Sequence, residues 1–235
     1  MISLVLQAVG SLVLPNLRCP PEKLVDVSVI EKKAGETYIH LGIGGANTGP
    51  GHMIVATNTP DKQAFSILYD KDTEKWVARP TNTKFIPIGT KYGIRWKWTG
   101  WSFFGVWDID TGEITLVRKK SSCLGNTFTP KITFPPIPKN LPTSFKTDKY
   151  GVFHLGCLSG KNVPYLGQLL KAGAGDQYSP SWNCPIRIKG DGTYLVFGFI
   201  DPDNAIPEWN EEDNWSMAAI EVRGTTITVL WTFEP

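Results

Sequence analysis

Residues 108–117 (DIDTGEITLV) carry the clearest fold signal in the chain. They place the turn residues Asp110-Thr111-Gly112 between two short runs that contain β-branched side chains, which is typical of a β-hairpin. Residues 186–200 repeat this pattern around a second turn at residues 189–192 (KGDG). The sequence therefore predicts two hairpins, and with them an antiparallel β-protein.

Further strands are predicted nearer the N-terminus. Residues 38–43 (YIHLGI) alternate apolar and other side chains with a period of two, which indicates a half-buried strand. We expect Gly44-Gly45 to end that strand, residues 47–51 to form a turn, and residues 53–56 and 64–69 to continue an antiparallel meander. One helix is predicted at residues 162–173, where a capping asparagine and a proline precede a stripe of three leucines.

The composition favours the same fold class. The 235 residues include 23 glycines and 18 prolines, which suits short strands joined by turns. We find no internal repeat and no linker, so we predict an all-β fold: a single antiparallel β-sandwich-like domain over residues 1–235, with long irregular loops and at most one or two short helices. Residues 125–162 form a proline-rich irregular excursion within it.

The net charge and the N-terminal sequence argue against some classes of partner. The formal net charge is +2 without a dense basic stripe, which argues against a nucleic-acid partner. Residues 1–14 are apolar and uncharged, but they are shorter than the ~20 residues that a membrane span needs. They lack a basic start, so an ordinary first strand or short buried helix is favoured over a secretion signal or surface anchor. We therefore predict that the chain has no transmembrane span and is not an integral membrane protein.

The cysteines and the catalytic motifs give no enzyme class. No C-x-x-C pair is present, and long-range disulfides or reduced thiols both stay open for Cys19, Cys123, Cys157 and Cys184. The sequence has no G-x-S-x-G, P-loop or H-E-x-x-H motif.

Three segments resemble the lysyl oxidase family, particularly its short microbial members. Residues 192–214 resemble that family's closing hairpin, a strand followed by a DPDN-like turn and a D-x-x-N-N stretch, which CARDB-type modules share. Residues 15–18 and 46–51 are similar to its opening Pro-Asp-Leu and its A-N-x-G-x-G turn. Residues 103–124 follow its middle hairpin and K-x-S-F-C-L segment.

The resemblance implies a copper ion held by an H-x-H-x-H run, and this chain departs from that pattern. The corresponding residues 94–101 (IRWKWTGW) contain no histidine, and the only histidines of the chain are His40, His52 and His154. Cationic side chains repel copper, and tryptophan has no lone pair to donate. We therefore expect no copper. The resemblance also places Lys119 and Tyr178 on the pair that forms the family's lysine tyrosylquinone, which needs copper to form, so we expect an unmodified lysine and tyrosine.

Calcium is the second ion that the resemblance implies. In some family members it joins the opening segment to the closing one, where this chain offers oxygen atoms of Asn16, Leu17, Asn210, Asp213 and Asn214. Asparagines replace aspartates at two of these positions and lower the charge, for which neighbouring glutamates could partly compensate. The alternative, which we favour, is that these side chains only hydrogen-bond to the backbone of turns.

The aromatic run that includes Trp96, Trp98 and Trp101 has two interpretations. Exposed tryptophans would stack on sugar rings or bind a protein, whereas buried ones would form a bulky core, which we favour.

The sequence predicts a non-catalytic binding or structural module on a lysyl-oxidase-like scaffold, acting in extracellular, cell-surface or particle assembly. Its partner would be a protein or a second copy, contacted through residues 1–14 and the proline-rich excursion. The alternatives are a copper-dependent protein-lysine or amine oxidase with unorthodox ligands, and a carbohydrate-binding module that uses the tryptophans.

Overall fold

The computed structural model describes residues 10–26, 28–57, 59–90, 93–119, 122, 124, 127–130 and 166–235. Antiparallel strands dominate these residues, as predicted. The strands of the N-terminal half are β1 (Leu12–Val13), β2 (Leu17–Arg18), β3 (Val29–Lys33), β4 (Glu36–His40), β5 (Ile43–Asn47), β6 (Met53–Thr57), β7 (Gln63–Asp70), β8 (Lys75–Thr90) and β9 (Gly93–Trp98). Those that follow are β10 (Ser102–Asp108), β11 (Ile114–Lys119), β12 (Leu166–Leu170), β13 (Ala174–Tyr178), β14 (Ile186–Ile188), β15 (Gly192–Ile200), β16 (Trp215–Arg223) and β17 (Thr226–Phe233).

The strands of the described residues form four antiparallel sheets. A six-stranded sheet has the order β12-β6-β7-β8-β9, with β1 paired to β7, and a five-stranded sheet has the order β11-β10-β15-β16-β17. Two three-stranded sheets have the orders β13-β5-β2 and β14-β4-β3. Helix α1 (Glu22–Val25) and a 3₁₀ turn (Pro180–Trp182) are the helical elements of the described residues. The all-β, sandwich-like fold class is therefore confirmed.

One hydrophobic cluster draws buried side chains from all four sheets. The largest of them are fully buried aromatic residues: Phe85, Trp98, Trp101, Phe104 and Tyr194. On β15 and β16 the residues that point inward alternate with residues that are only half-buried. This alternation is what a sheet with one face on the core requires.

The hairpin predicted at residues 108–117 is confirmed, because β10 pairs with β11 across it. The second predicted hairpin is wrong, although both of its strands exist. β14 pairs with β4, while both edges of β15 are occupied by β10 and β16. Residues 189–192 therefore carry the chain from one sheet to another.

The predicted end of the strand at Gly44-Gly45 is also wrong. β4 ends at His40, and β5 runs through both glycines. A Cβ atom added to Gly45 would lie 2.5 Å from the Trp101 ring, and one added to Gly44 would lie 2.6 Å from Lys23 Cβ. The glycines therefore permit close packing against a strand rather than a turn.

The helix predicted at residues 162–173 is contradicted where the structure describes it, since Leu166–Leu170 form β12 on the edge of β6. Leu169 and Leu170 are both buried, but in two different hydrophobic clusters. They therefore lie on opposite faces of a strand. A short apolar run of this kind does not distinguish a strand from a helix.

The two predicted contact segments fall largely outside the described residues, because residues 1–9 and 131–165 are not among them. Within the part of the chain that is described, no helix is long and apolar enough to cross a membrane.

Candidate functional site

Lys119 and Tyr178, which the sequence analysis paired through a family resemblance, contact each other in the structure. Lys119 is the last residue of β11 and Tyr178 the last of β13, so two different sheets bring them together. The Lys119 Nζ atom lies 4.1 Å from the centroid of the Tyr178 ring. This distance permits a cation–π interaction.

Asn183 completes the contact, and sequence reasoning missed it. Lys119 Nζ donates a hydrogen bond to Asn183 Oδ1 (2.9 Å), and Asn183 Nδ2 donates to the Leu41 carbonyl (2.8 Å). Asn183 directly follows the 3₁₀ turn, whose Trp182 ring lies 6.2 Å from the Tyr178 ring, edge to face. The asparagine therefore fixes the position of the lysine amine, and the residue pattern of this turn offered no signal for that role.

The environment of Lys119 disfavours its charge. Burial, followed by the nearby Lys97 ammonium, lowers the pKa of Lys119 from 10.5 to about 8, although Cys184 and Asp176 act in the opposite direction. A neutral lysine amine is a nucleophile towards carbonyl groups, and the lowered pKa favours this form of Lys119 relative to a fully exposed lysine.

The stretch that the resemblance matches to copper ligands, residues 94–101, lies partly on β9 and brings a cation to the site. Lys97 belongs to this strand and is close enough to Lys119 to lower its pKa. The histidines lie elsewhere: His40 Nε2 is 2.7 Å from Glu31 Oε2, and His52 Nδ1 accepts a hydrogen bond from the Ala172 amide (3.1 Å). His154 lies outside the described residues.

The tryptophans of this stretch belong to the core. Trp98 and Trp101 are fully buried, and Trp98 Nε1 donates a hydrogen bond to Thr83 Oγ1 (2.8 Å). Trp96 is half-buried and packs against the same cluster. The favoured interpretation fits this burial, and stacking of Trp98 or Trp101 on a sugar ring is incompatible with it.

A second candidate site joins the opening segment of the chain to the closing one. Asn16 Nδ2 donates a hydrogen bond to Asp213 Oδ2 (3.0 Å), and Asn16 Oδ1 accepts one from the Asn210 amide (2.9 Å). Glu208 accepts hydrogen bonds from the Leu17 amide and from Asn214 Nδ2. We call these residues the junction. The structure thus brings together the residues that the resemblance assigned to calcium, and Glu208 links Leu17 to Asn214 among them.

The junction contains acceptor oxygens that lack a partner. Asp213 Oδ1 and Asn214 Oδ1 are buried and have no hydrogen-bond partner among the described residues. Burial, followed by the charge of Asp201, raises the pKa of Glu208 well above its ordinary value. Arg18 Nε already lies 3.5 Å from Asp213 Oδ2, and a bound cation would in addition compensate the orphaned oxygens and the buried Glu208 carboxyl. Within the described residues, however, no group of three or more His, Cys, Asp or Glu side chains is placed to hold a metal.

The two described cysteines are not in disulfides. Cys19 is buried, which raises the pKa of its thiol to about 12, whereas Cys184 is exposed. Cys123 and Cys157 fall outside the described residues.

No family model matches the sequence, and no curated protein matches it.

Proposed function

We propose that this chain is a non-catalytic binding or structural module built on a lysyl-oxidase-like scaffold. The observation that carries the proposal is the position of Lys119 over the Tyr178 ring, with Lys97 close enough to lower the pKa of Lys119. An oxidase would need a copper ion close to the residues that become its quinone. Here the strand that would supply imidazoles supplies an ammonium group, which repels a divalent cation and donates no lone pair.

The contact between Lys119 and Tyr178 supports the scaffold part of the proposal. The two residues are 59 positions apart in the sequence and were paired only because each matches a motif. Their contact across two sheets is what a lysyl-oxidase-like arrangement requires. Retained without copper ligands, the pair acts as a structural link between these sheets through a cation–π contact and the Asn183 hydrogen bond.

Copper loading tests the proposal. The purified chain is incubated aerobically with Cu²⁺, desalted, and examined for bound copper, for quinone absorbance and for hydrogen peroxide release from a primary amine. We expect less than stoichiometric copper, no quinone band and no peroxide, as in a Tyr178→Phe control. A quinone band that appears in the wild type and is absent from the control would contradict the proposal.

The second candidate function is a copper-dependent amine oxidase with unorthodox ligands, and the same Lys119–Tyr178 contact favours it. The copper experiment decides between the two. A carbohydrate-binding role has less support, since two of the three tryptophans offered for it are buried.

We propose in addition that Ca²⁺ is the ligand of the junction. The orphaned oxygens of Asp213 and Asn214 and the buried Glu208 support this assignment. Bound there, the ion would join residues 16–17 to residues 208–214 and stabilise the fold. Thermal unfolding with Ca²⁺ or a chelator tests this proposal.

A further inference from the structure

The five-stranded sheet has an outer face that is apolar over all five strands. One face of this sheet packs against the core through Phe104, Val106, Val196 and Ala218. The alternate residues of the same strands point the other way, and we call their layer the outer face. Its most exposed side chains keep 41–62% of their surface accessible, and they are Trp107, Ile114, Leu116, Trp231 and Phe233.

The strand registers show that this face is continuous. The central row crosses all five strands, and its members are Leu116, Gly105, Phe197, Met217 and Phe233. A Cβ atom at Gly105 would lie 2.6 Å from the Phe197 ring and 2.9 Å from Leu116 Cδ2. The absence of a side chain at Gly105 thus leaves the space that these two side chains occupy.

Aromatic stacking holds one end of the outer face in place before any partner binds. The ring centroids of Phe103 and Phe199 are 4.4 Å apart, those of Phe199 and Trp215 are 6.0 Å apart, and those of Trp215 and Phe233 are 5.4 Å apart. Because the rings fix one another, little side-chain entropy is lost when a partner covers them. The face is therefore preorganised for binding.

The few charged side chains on the outer face form ion pairs. Its charged strand residues are Arg118, which pairs with Asp203, and Glu221 and Arg223, which pair with each other at 2.8 Å. A face without net charge does not repel an identical face and gives no advantage to an acidic or basic partner. An anionic lipid surface would be recognised by a fringe of unpaired lysines and arginines, which these strands do not supply.

The area of the outer face is enough for a weak dimer. Five strands about 4.8 Å apart span roughly 24 Å, and the apolar rows extend about 20 Å along the strands, so two such faces together cover about 1,000 Å². This footprint reaches the roughly 1,000 Å² that a biological interface needs and lies below the roughly 1,200–2,000 Å² of stable complexes, so the dimer should be in equilibrium with the monomer. We propose that a second copy of this chain packs on the outer face, sheet against sheet, an inference that rests on the proposed function as a structural module.

The mass of the full chain in solution tests the proposal. Light scattering over about 1–100 µM protein should give a mass that rises with concentration towards twice the 26.0 kDa of one chain. Leu116→Lys places an ammonium group in the interface of both copies and should raise the dissociation constant by ~100-fold or more. Ile114→Lys should act in the same way. Val29→Lys, at an exposed apolar residue of another sheet, should leave the dimer intact.

Three outcomes would overturn the proposal. The first is a wild-type monomer at every concentration, and the second is an equal effect of Leu116→Lys and Val29→Lys in variants that melt like the wild type. The third is a monomer that dimerises only after residues 1–9 are removed, or a monomer that binds phosphatidylcholine vesicles through Leu116. Either result would identify a different occupant of the outer face. None of these outcomes bears on copper or quinone formation, so failure of this inference is distinguishable from failure of the proposed function.

Discussion

Replacement of Lys119 by methionine should change how the stability of the protein depends on pH. The pKa of Lys119 falls from 10.5 to about 8 on folding, because burial and Lys97 disfavour the ammonium form. Below pH 8 the folded state must carry this disfavoured charge, which lowers the free energy of unfolding. Between about pH 8 and 10.5 the cost is progressively removed, so wild-type stability should rise relative to the methionine variant.

The size of this effect follows from the two pKa values. Linkage gives a gain of at most about 2 kcal/mol for the wild type relative to Lys119→Met between pH 7 and pH 9.5. Because the amine is partly exposed, solvent screening reduces the expected gain to ~1 kcal/mol. In thermal unfolding a difference of this size corresponds to about 2–4 °C for a chain of this length.

Urea unfolding of the wild type and of Lys119→Met at pH 7 and pH 9.5 measures the effect. Subtracting the stability change of the variant from that of the wild type cancels the titration of the groups that the two proteins share. Lys189→Met removes an exposed lysine and serves as the matched control. The reasoning is refuted if the wild type gains less than about 0.3 kcal/mol relative to Lys119→Met, or if the control gives the same change.

Two further predictions concern stability. Gly45→Ala should destabilise the fold by ~1–3 kcal/mol, because the added methyl group would lie 2.5 Å from the buried Trp101 ring. Gly89→Ala, which meets nothing within 4 Å, should have almost no effect in the same urea titration. Saturating Ca²⁺ should raise the melting temperature by ~5–10 °C in the wild type and in Asp203→Ala, but not in Asp213→Ala. An unchanged rise in Asp213→Ala would show that the ion binds outside the junction.

Local patterns in the sequence predicted the strands better than their partners. The turn at Asp110-Thr111-Gly112 joins neighbours in one sheet, so its hairpin could be predicted from adjacent residues. Residues 189–192 have the same turn chemistry but connect two sheets. The strand after this turn pairs with β10 and β16, which lie outside the local stretch that the pattern covers. Pairing of this kind is decided by tertiary packing, and local propensity carries little information about it.

The predictions at Gly44-Gly45 and at the leucines of β12 were wrong for a related reason. Gly44 and Gly45 have the composition of a turn, but their small size serves packing under Trp101 and Lys23. The leucines of β12 have a helical spacing in a stretch too short to establish the period. In both cases the deciding contact comes from a residue far away in the chain.

The candidate site was predictable only in part. The motif resemblance selected Lys119 and Tyr178, which do meet, and the junction residues, which also meet. The roles of Asn183 and Lys97 depend on how the 3₁₀ turn and β9 are placed against the other sheets. The outer face was missed because its residues come from five strands, each of which has an ordinary alternating pattern.

Peptide mass spectrometry of the copper-loaded, aerobically incubated chain tests the central claim most directly. The account predicts that Lys119 and Tyr178 are recovered in separate, unmodified peptides, in the same yield as from chain that was never exposed to copper. Recovery of a covalently linked pair of peptides that contains both residues, and its loss in Tyr178→Phe, would contradict a non-catalytic scaffold and identify the protein as an active quinone-forming oxidase.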